Sequence, residues 1–368
     1  MSLLAGMDTR TPAPTARDSF TARYAVALDD FFRGRPEVDA AQELVEEVRA
    51  VVLAGGKRLR PAFAWWGWRA SGGEADGDTA EAVVRALVAL ELLQCCALVH
   101  DDVMDRSATR RGRRAVHEEF AARHRRWRWS GSARRYGDST AILVGDLALA
   151  WADDALVTAG LPADALRRAW RPWQRMRTEM MAGQHLDLVA SAGRDRSLEG
   201  ALRVAALKTA AYTVERPLHL GAALADAPAD VIECLREFGR DVGVAFQLRD
   251  DLIGMFGDPA VTGKPVGGDL HEGKHTPLMA IALSRAGAAG DRAAVRVLLR
   301  CLSGVPLTDE TAATARALLI DHGAVEAVEE HIEALTESGL AALDRAAVDD
   351  VARDRLRQLA AKAVRRRD

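Results

Sequence analysis

The chain has 368 residues, of which 49% are apolar and 28% are charged. This composition is typical of a globular protein and excludes a largely disordered chain. The formal net charge of -3 provides no overall basic field for nucleic acid, so any anion site has to be local.

The N-terminal segment, residues 1–20, is polar and rich in Thr, Ala and Pro, which predicts a mobile tail. It lacks a basic stretch followed by a full apolar stretch, so we expect no signal peptide and a cytoplasmic protein. No uninterrupted apolar run reaches about 18 residues, so we expect no stable membrane insertion. The four cysteines have no CxxC spacing, which disfavours a disulfide framework or a zinc site.

Apolar residues recur at intervals of three and four along most of the chain, which predicts an all-α fold. The predicted helical stretches are 39–54, 80–99, 140–159, 164–190, 199–223, 229–256, 276–286, 292–303 and 309–366. The connections are short and none has the composition of a linker, so we expect one helical domain over residues 21–368. The one long irregular stretch, residues 257–277, is rich in glycine, proline and charge, and loops of that length are usually functional or disordered.

The first pattern with chemical meaning is GGKRLRP at residues 55–61. Lys57, Arg58 and Arg60 lie beside two glycines that expose backbone N–H groups, which predicts a cradle for a diphosphate. The pattern is not a Walker loop, because GxxxxGK[ST] is absent, and this disfavours an ATPase.

An acidic motif, DDVMD at residues 101–105, follows an apolar helix. Asp101 and Asp105 are one turn apart and share a face, where two like charges repel each other. A hard cation between them would explain the spacing, since Mg²⁺ binds carboxylate oxygens together with phosphate oxygens and water. For an isolated motif, a helix end with solvent-facing acidic residues explains the pattern equally well.

A second acidic motif, FQLRDD at residues 246–251, also ends an apolar helix. Two such motifs that face each other would form a metal site. A Lys208-Thr209 pair lies between the two motifs in sequence, and the glycine-rich and lysine-rich stretch 257–277 follows the second one.

Taken in order, GGKRLRP, DDVMD with the later pair Arg110 and Arg111, Lys208-Thr209 and FQLRDD with its loop resemble the trans-isoprenyl diphosphate synthases, also called polyprenyl synthetases. The resemblance covers roughly residues 40–280. It implies a single-domain isoprenoid synthase helical bundle with a central cavity. It also implies a prenyltransferase that joins dimethylallyl, geranyl or farnesyl diphosphate to isopentenyl diphosphate and releases diphosphate.

The resemblance also implies a role for each motif residue. Those for isopentenyl diphosphate are Lys57, Arg60, Gln94 and Arg111. Those for the allylic diphosphate are Arg110, Lys208, Thr209, Gln247, Lys264 and Lys274. About three Mg²⁺ ions would be bound by Asp101, Asp105 and Asp250, with Asp102 and Asp251 as ligands or next to the ligands. Catalysis would rest on Asp101, Asp105, Asp250, Lys208 and Arg110, and the protein would be a homodimer.

Product length is expected to depend on the residues one to three turns before Asp101, namely Ala97, Cys96, Leu93 and Leu90. Family members that stop at fifteen carbons tend to have aromatic residues at the positions of Cys96 and Ala97. The small residues here favour geranylgeranyl diphosphate as the product, with farnesyl diphosphate as the alternative.

Two features depart from the family pattern. The second motif usually ends in a third aspartate, and this chain has Gly254 there, with Asp258 nearby. Residues 123–138 form an extra polar stretch, for which we expect an inserted surface loop or a subunit contact.

Two other functions remain open. A class I terpene cyclase also binds Mg²⁺, but its second motif normally begins with Asn, and this chain contains no asparagine. A non-catalytic partner subunit typically lacks an acidic motif or the basic cradle, and both are present here.

Overall fold

The computed structural model describes residues 16–35, 38–257, 267–303 and 305–365. Helices dominate this part of the chain, which confirms the predicted all-α class. Helix α1 begins at Ala16, within the segment expected to be a tail, and residues 1–15 lie outside the described part.

The helices of the first half are α1 (Ala16–Arg33), α2 (Gln42–Leu53), α3 (Leu59–Ala70), α4 (Asp78–Ala86), α5 (Val88–Asp105), α6 (Val116–Arg126) and α7 (Ala133–Val157). A 3₁₀ turn, Asp39–Ala41, precedes α2, and the strands β1 (Thr109–Arg110) and β2 (Arg113–Arg114) lie between α5 and α6.

The helices of the second half are α8 (Ala163–Gly193), α9 (Leu198–Val204), α10 (Arg216–Leu224), α11 (Ala229–Phe256), α12 (Gly268–His271), α13 (Pro277–Ala288), α14 (Arg292–Cys301), α15 (Asp309–Asp321), α16 (Ala324–Arg345) and α17 (Asp350–Val364). A π-helical segment, Ala205–Glu215, joins α9 to α10 without a break.

Helix α5 lies at the centre of the bundle, where it packs mainly against α7. Its side chains are buried on most of its surface, and Leu90, Leu92 and Leu93 are fully buried. The stretch Asp78–Asp105 is long and apolar enough to cross a membrane by composition, but 83% of its most apolar window is buried inside the fold. Its apolar character therefore serves the protein core.

The π-helical segment packs against α8 and α11. The contact with α8 is close at Gly183, because a Cβ atom there would lie 2.2 Å from the backbone nitrogen of Lys208. π-Helical turns are rare and occur frequently at functional sites. The close contact fixes the backbone that carries Lys208 and Thr209.

Several helices differ from the sequence prediction. The stretch predicted as 309–366 contains three helices over residues 309–364, because Gly323 has φ 63° and ends α15, and an extended connection follows α16. The periodic stretches do not include α3, because its buried residues show no amphipathic period, although Trp65, Trp66 and Trp68 themselves indicate a packed helix. Helix α6 was missed for the opposite reason, since most of its side chains are charged or histidine.

The polar stretch 123–138 is mostly helical, so the expectation of an inserted surface loop is wrong for most of its length. Helix α6 continues to Arg126 and α7 begins at Ala133. Aromatic rings hold the short connection: the centroids of Trp127 and Trp129 are 4.8 Å apart, and those of Trp129 and Tyr136 are 5.2 Å apart.

Candidate active site

A cavity of about 640 Å³ is lined by α5, α8, the π-helical segment, α11 and the segments 56–60 and 269–277. The predicted site residues that line it are Lys57, Arg60, Gln94, Cys96, Ala97, Asp101, Arg110, Arg111, Lys208, Thr209, Gln247, Asp250, Asp251 and Lys274. Leu93, Asp102 and Asp105 are not part of the lining, and Lys264 lies outside the described residues.

The first acidic motif occupies the last turn of α5. The helix ends there because Arg106 adopts a left-handed conformation with φ 56°. Asp101 faces the cavity, whereas Asp102 is only 2% exposed and accepts hydrogen bonds from Arg110. Asp102 therefore fixes the arginine.

The hairpin after α5 brings two consecutive arginines to different groups. Its turn residues, Arg111 and Gly112, both have positive φ, as a two-residue hairpin turn requires. The guanidinium group of Arg110 lies 3.3 Å from Asp101 and also binds Asp102. Arg111 donates instead to the carbonyl oxygen of Gly55.

Two lysines lie between the carboxylates at this acidic end of the cavity. Lys208 Nζ is 3.0 Å from Asp101 and 2.7 Å from Asp187. Lys274 Nζ is 3.6 Å from Asp105 and 3.9 Å from Asp269. These four carboxylates and two ammonium groups form what we call the acidic end.

The pKa values of the first motif reflect this packing. Burial raises the pKa of Asp101, but Lys208 and Lys274 outweigh burial, so this pKa lies below its ordinary value. Burial and the neighbouring Asp101 raise the pKa of Asp105 to about 6. Asp105 is therefore a carboxylate whose charge is poorly compensated by the protein alone.

The basic cradle, residues 55–61 with Arg111, has one arginine that faces inward. Arg58 has a left-handed φ of 47° and forms an ion pair with the buried Glu91. It also donates to the carbonyl oxygen of Val52. This ion pair fixes the backbone around Arg58, and the neighbouring Lys57 and Arg60 line the cavity.

Arg60 is positioned by the π-helical segment. Its guanidinium group donates to the hydroxyl of Thr213 at 2.8 Å and lies 4.2 Å from the ring centroid of Tyr212. The hydroxyl of Tyr212 in turn donates to Gln94 Oε1 at 2.8 Å. Two hydrogen bonds and the cation–π contact between Arg60 and Tyr212 thus join α3, α5 and the π-helical segment.

The second acidic motif faces the same cavity from α11. Asp250 and Asp251 both line the cavity. Asp251 is 5% exposed and accepts a hydrogen bond of 2.7 Å from Gln247. Burial, and then the charge of Asp269, raise the pKa of Asp251.

Several residues of the site were not predicted as site residues from the sequence. They are Glu91, Asp187, Tyr212, Thr213 and Asp269. Tyr212, Thr213 and Asp187 contact predicted residues on other helices. Glu91 contacts Arg58, and Asp269 contacts Lys274 on its own segment. The only local signal is proximity to a motif, since Tyr212 and Thr213 follow Lys208 by about one turn.

The apolar wall of the cavity includes Cys96, Ala97, Met180 and Met181. Leu93 is fully buried in the core and does not line the cavity. Of the residues predicted to set product length, Cys96 and Ala97 are therefore the two that line the cavity in which a growing prenyl chain could lie.

A sequence profile described as "Polyprenyl synthetase" matches residues 41–301 of this chain. The chain is 31% identical over 316 residues to the geranylfarnesyl diphosphate synthase of Aeropyrum pernix, and the alignment covers 84% of this chain and 90% of that protein. It is 34% identical over 263 residues to the (2E,6E)-farnesyl diphosphate synthase of Mycobacterium tuberculosis, and the alignment covers 72% of this chain and 67% of that protein.

A similar solved structure is the geranylgeranyl pyrophosphate synthase from Corynebacterium glutamicum, complexed with isoprenyl diphosphate and magnesium. The TM-score is 0.88 at 42% sequence identity, and the match covers 95% of this chain and 98% of that chain. These three similar proteins are named for three different products, so similarity alone does not fix product length.

Proposed function

Because this chain belongs to the polyprenyl synthetase family, we propose that it condenses an allylic diphosphate with isopentenyl diphosphate, with geranylgeranyl diphosphate as its main product and farnesyl diphosphate as the alternative. One observation carries this proposal: the basic cradle, the two lysines and three of the four carboxylates of the acidic end, and the apolar wall all line one cavity. A reaction between two diphosphates with apolar tails needs all three.

The acidic end fits a divalent metal. Asp105 Oδ2 is buried and accepts no hydrogen bond from any described residue, and its partner is the ammonium group of Lys274 at 3.6 Å, beyond hydrogen-bond distance. Among the described residues no three His, Cys, Asp or Glu side chains converge on one point. Mg²⁺ takes only one or two carboxylates from a protein and fills its other positions with phosphate oxygens and water, so the carboxylates beside the two lysines could hold it together with a bound diphosphate.

Asp101, Asp105 and Asp250 would hold these ions, and the family resemblance implies about three of them. Bound Mg²⁺ would neutralise the negative charge that develops on the leaving diphosphate.

The two lysines of the acidic end and the neighbouring Arg110 bind the substrate in the first step. Lys208, Lys274 and Arg110 hold the allylic diphosphate and stabilise its charge as its bond to carbon breaks. The lysines are paired with carboxylates, so their charges are held in position before substrate binds.

The cradle holds the second substrate. Lys57, Arg60 and Arg111 bind the diphosphate of isopentenyl diphosphate, and Gln94 orients it through the contact with Tyr212. None of the motif residues is a suitable base, so the released diphosphate accepts the proton that is lost at the end.

Product length follows from the small residues Cys96 and Ala97 in the apolar wall. They leave room for a chain longer than fifteen carbons, which is why geranylgeranyl diphosphate is the main product in this proposal. A homodimer and a cytoplasmic location, both expected from the sequence, complete the proposal.

The test is a product assay. Pure protein is incubated with Mg²⁺, isopentenyl diphosphate and dimethylallyl, geranyl or farnesyl diphosphate, and product length is measured by chromatography. We expect a twenty-carbon product from each allylic substrate. A cyclised hydrocarbon formed without isopentenyl diphosphate, or no product from any substrate, would refute the proposal.

A further inference from the structure

The connection between α6 and α7 is strongly basic, although the whole chain has a formal net charge of -3. Residues 120–137 contain six arginines and no acidic residue. Arg123 is turned inward and forms ion pairs with glutamates of α2 and α6. The other five arginines are exposed, at positions 125, 126, 128, 134 and 135. We call residues 125–136 the Arg–Trp turn.

Most of the positive charge of the Arg–Trp turn is not neutralised by the protein. Two of its arginines have a carboxylate partner, at 3.8 and 4.0 Å, which is the outer limit of an ion pair. Arg126, Arg128 and Arg135 form no ion pair with any residue in the described part of the chain. Their charges are therefore available to an anionic partner.

Two tryptophans lie exposed in the same turn. Trp127 is 43% exposed and Trp129 is 47% exposed, whereas the six other tryptophans of the chain are buried or half-buried. Arg128 lies between them with a left-handed φ of 53°, and the centroids of the two indole rings are 4.8 Å apart. A single exposed apolar side chain is ordinary, but a pair of aromatic rings rimmed by charge indicates an interaction surface.

The Arg–Trp turn lies at the end of the bundle where α5 ends. His100 near the end of α5 contacts the carbonyl oxygen of Ile142 at 3.1 Å. Arg85, just before α5, donates to the carbonyl oxygen of Ala159, just after α7. The two helices are therefore antiparallel. At 1.5 Å per residue, Ala133 lies about 14 Å before Ile142 along α7, beyond the last turn of α5. The turn is thus at the same end of the molecule as the acidic end of the cavity.

This combination of side chains fits a membrane surface. Indole rings are enriched at the headgroup level of bilayers, and basic residues are attracted to a leaflet that contains anionic lipids. A surface groove beside Trp129 is also lined by Arg135 and by three serines. Guanidinium and hydroxyl groups donate hydrogen bonds to phosphate, which lipid headgroups supply.

Two other partners fit less well. Single-stranded RNA is also anionic, but it needs open ring faces on which bases can stack. The rings of the turn pack against each other instead, and those of Trp129 and Tyr136 meet edge to face at 88°. If the turn met its own copy in a symmetric dimer, five arginines would face five arginines, and like charges repel each other.

We propose that the Arg–Trp turn binds the surface of an anionic membrane, with its two indole rings at headgroup level and its arginines at the lipid phosphates. The contact is peripheral and inserts no helix into the bilayer. It goes beyond the proposed function, because lipid binding needs neither substrate nor turnover. Its consequence for that function is that a product with a long apolar tail leaves the cavity close to the lipid phase that dissolves it.

The test is cosedimentation of the full chain with vesicles of phosphatidylcholine, with or without about 30% phosphatidylserine. The wild type should bind the anionic vesicles and bind the neutral ones at least about tenfold more weakly. Trp127→Ser with Trp129→Ser, and separately Arg126→Gln with Arg128→Gln, should each weaken binding to anionic vesicles about tenfold or more. Turnover without vesicles should not change, since none of these side chains lines the central cavity.

Helix α14 offers matched controls on another face. Arg296→Gln with Arg300→Gln removes two exposed charges, and Leu299→Ser removes an apolar side chain that is 39% exposed. Both should bind anionic vesicles as the wild type does. Equal weakening by the control and the turn variants would mean that net charge or general surface polarity governs binding, and this would overturn the proposal.

Three further results would overturn it. They are no binding of the wild type to anionic vesicles, tighter binding to single-stranded RNA than to these vesicles, and a change of oligomeric state in the turn variants by analytical ultracentrifugation. The last would show that the turn is a subunit contact. If the tryptophan variant does not fold, the Arg126 and Arg128 variant decides.

The outcomes separate this inference from the proposed function. Protein that binds anionic vesicles through the turn but makes no product would refute only the prenyltransferase proposal. Protein that condenses the two diphosphates but does not bind anionic vesicles would refute only the membrane contact.

Discussion

Arg110 and Arg111 are adjacent in the chain, yet their guanidinium groups contact different parts of the cavity. Arg110 binds Asp101 and Asp102 at the acidic end, and Arg111 binds the carbonyl oxygen of Gly55 in the cradle. The left-handed conformation of Arg111, with φ 53°, separates the two side chains. The hairpin thus places the two arginines at different ends of the cavity, which fits the proposal that each binds a different substrate.

This division predicts a crossed kinetic pattern. Arg110→Gln should raise the KM of the allylic diphosphate about tenfold, and Arg111→Gln should raise the KM of isopentenyl diphosphate by a similar factor, since each removes a charged hydrogen bond. Steady-state kinetics with each substrate varied in turn measure both. The same separation is expected for Lys208→Ala against Lys57→Ala. An effect of both arginine variants on the same substrate would contradict the assignment.

The apolar wall predicts a change of product. Ala97→Phe should shorten the product from twenty to fifteen carbons, because a ring at Ala97 fills the space for the chain. Leu93→Met is the control, since Leu93 is buried in the core and does not line the cavity. Product chromatography decides between the two positions. A shift in Leu93→Met, or none in folded Ala97→Phe, would move the end of the pocket to another helix.

The cradle depends on the buried ion pair between Arg58 and Glu91. Glu91→Gln leaves the charge of Arg58 poorly compensated, and breaking a buried pair in this way costs about 3 kcal/mol of unfolding free energy. We expect a lower melting temperature and a higher KM for isopentenyl diphosphate, with the KM of the allylic substrate little changed. Glu46→Gln, an exposed acid on α2, provides the control. Loss of affinity for the allylic substrate alone would contradict a role in the cradle.

His219, which does not line the cavity, should make the free energy of unfolding depend on pH. Burial, followed by the charges of Arg216, Arg236 and two further arginines, lowers the pKa of His219 from 6.5 to about 4. Arg216 donates to His219 Nδ1 at 3.2 Å, which requires the neutral ring because arginine cannot accept.

The unfolded chain binds this proton more readily than the folded protein does. The contribution of His219 is therefore fully present above pH 6.5 and is lost as the pH falls from 6.5 to about 4. Its size is on the order of 2 kcal/mol, after allowance for partial exposure. The free energy of unfolding, measured with denaturant, should fall more steeply for the wild type than for His219→Gln as the pH decreases through this range. Parallel pH profiles would show that His219 titrates normally.

Sequence patterns predicted the helices whose burial is one-sided and the residues that belong to local motifs. Periodicity gave no signal where burial has no period, as in α3, where Phe63, Trp65 and Trp66 are all buried and only the tryptophans indicate a helix. They also placed Leu93 at the cavity, because spacing along a helix does not say which neighbour covers each face.

The parts of the site that the sequence did not indicate are contacts between distant segments. The hydrogen bonds of Tyr212 to Gln94 and of Arg60 to Thr213 join residues more than 100 positions apart. The contact of Asp269 with Gly254 depends on the path of the chain after α11. Patterns within one stretch of sequence do not predict such contacts between distant segments.

The central claim, that carboxylates from both acidic motifs support departure of the allylic diphosphate, is tested most directly by the turnover of Asp101→Asn and Asp250→Asn. Each variant is assayed at saturating geranyl diphosphate, isopentenyl diphosphate and Mg²⁺, and its fold is checked by circular dichroism. We expect kcat to fall at least about a hundredfold in each, with the dissociation constant of isopentenyl diphosphate unchanged by calorimetry, because the cradle is intact. Turnover within about tenfold of the wild type in either folded variant would contradict the account.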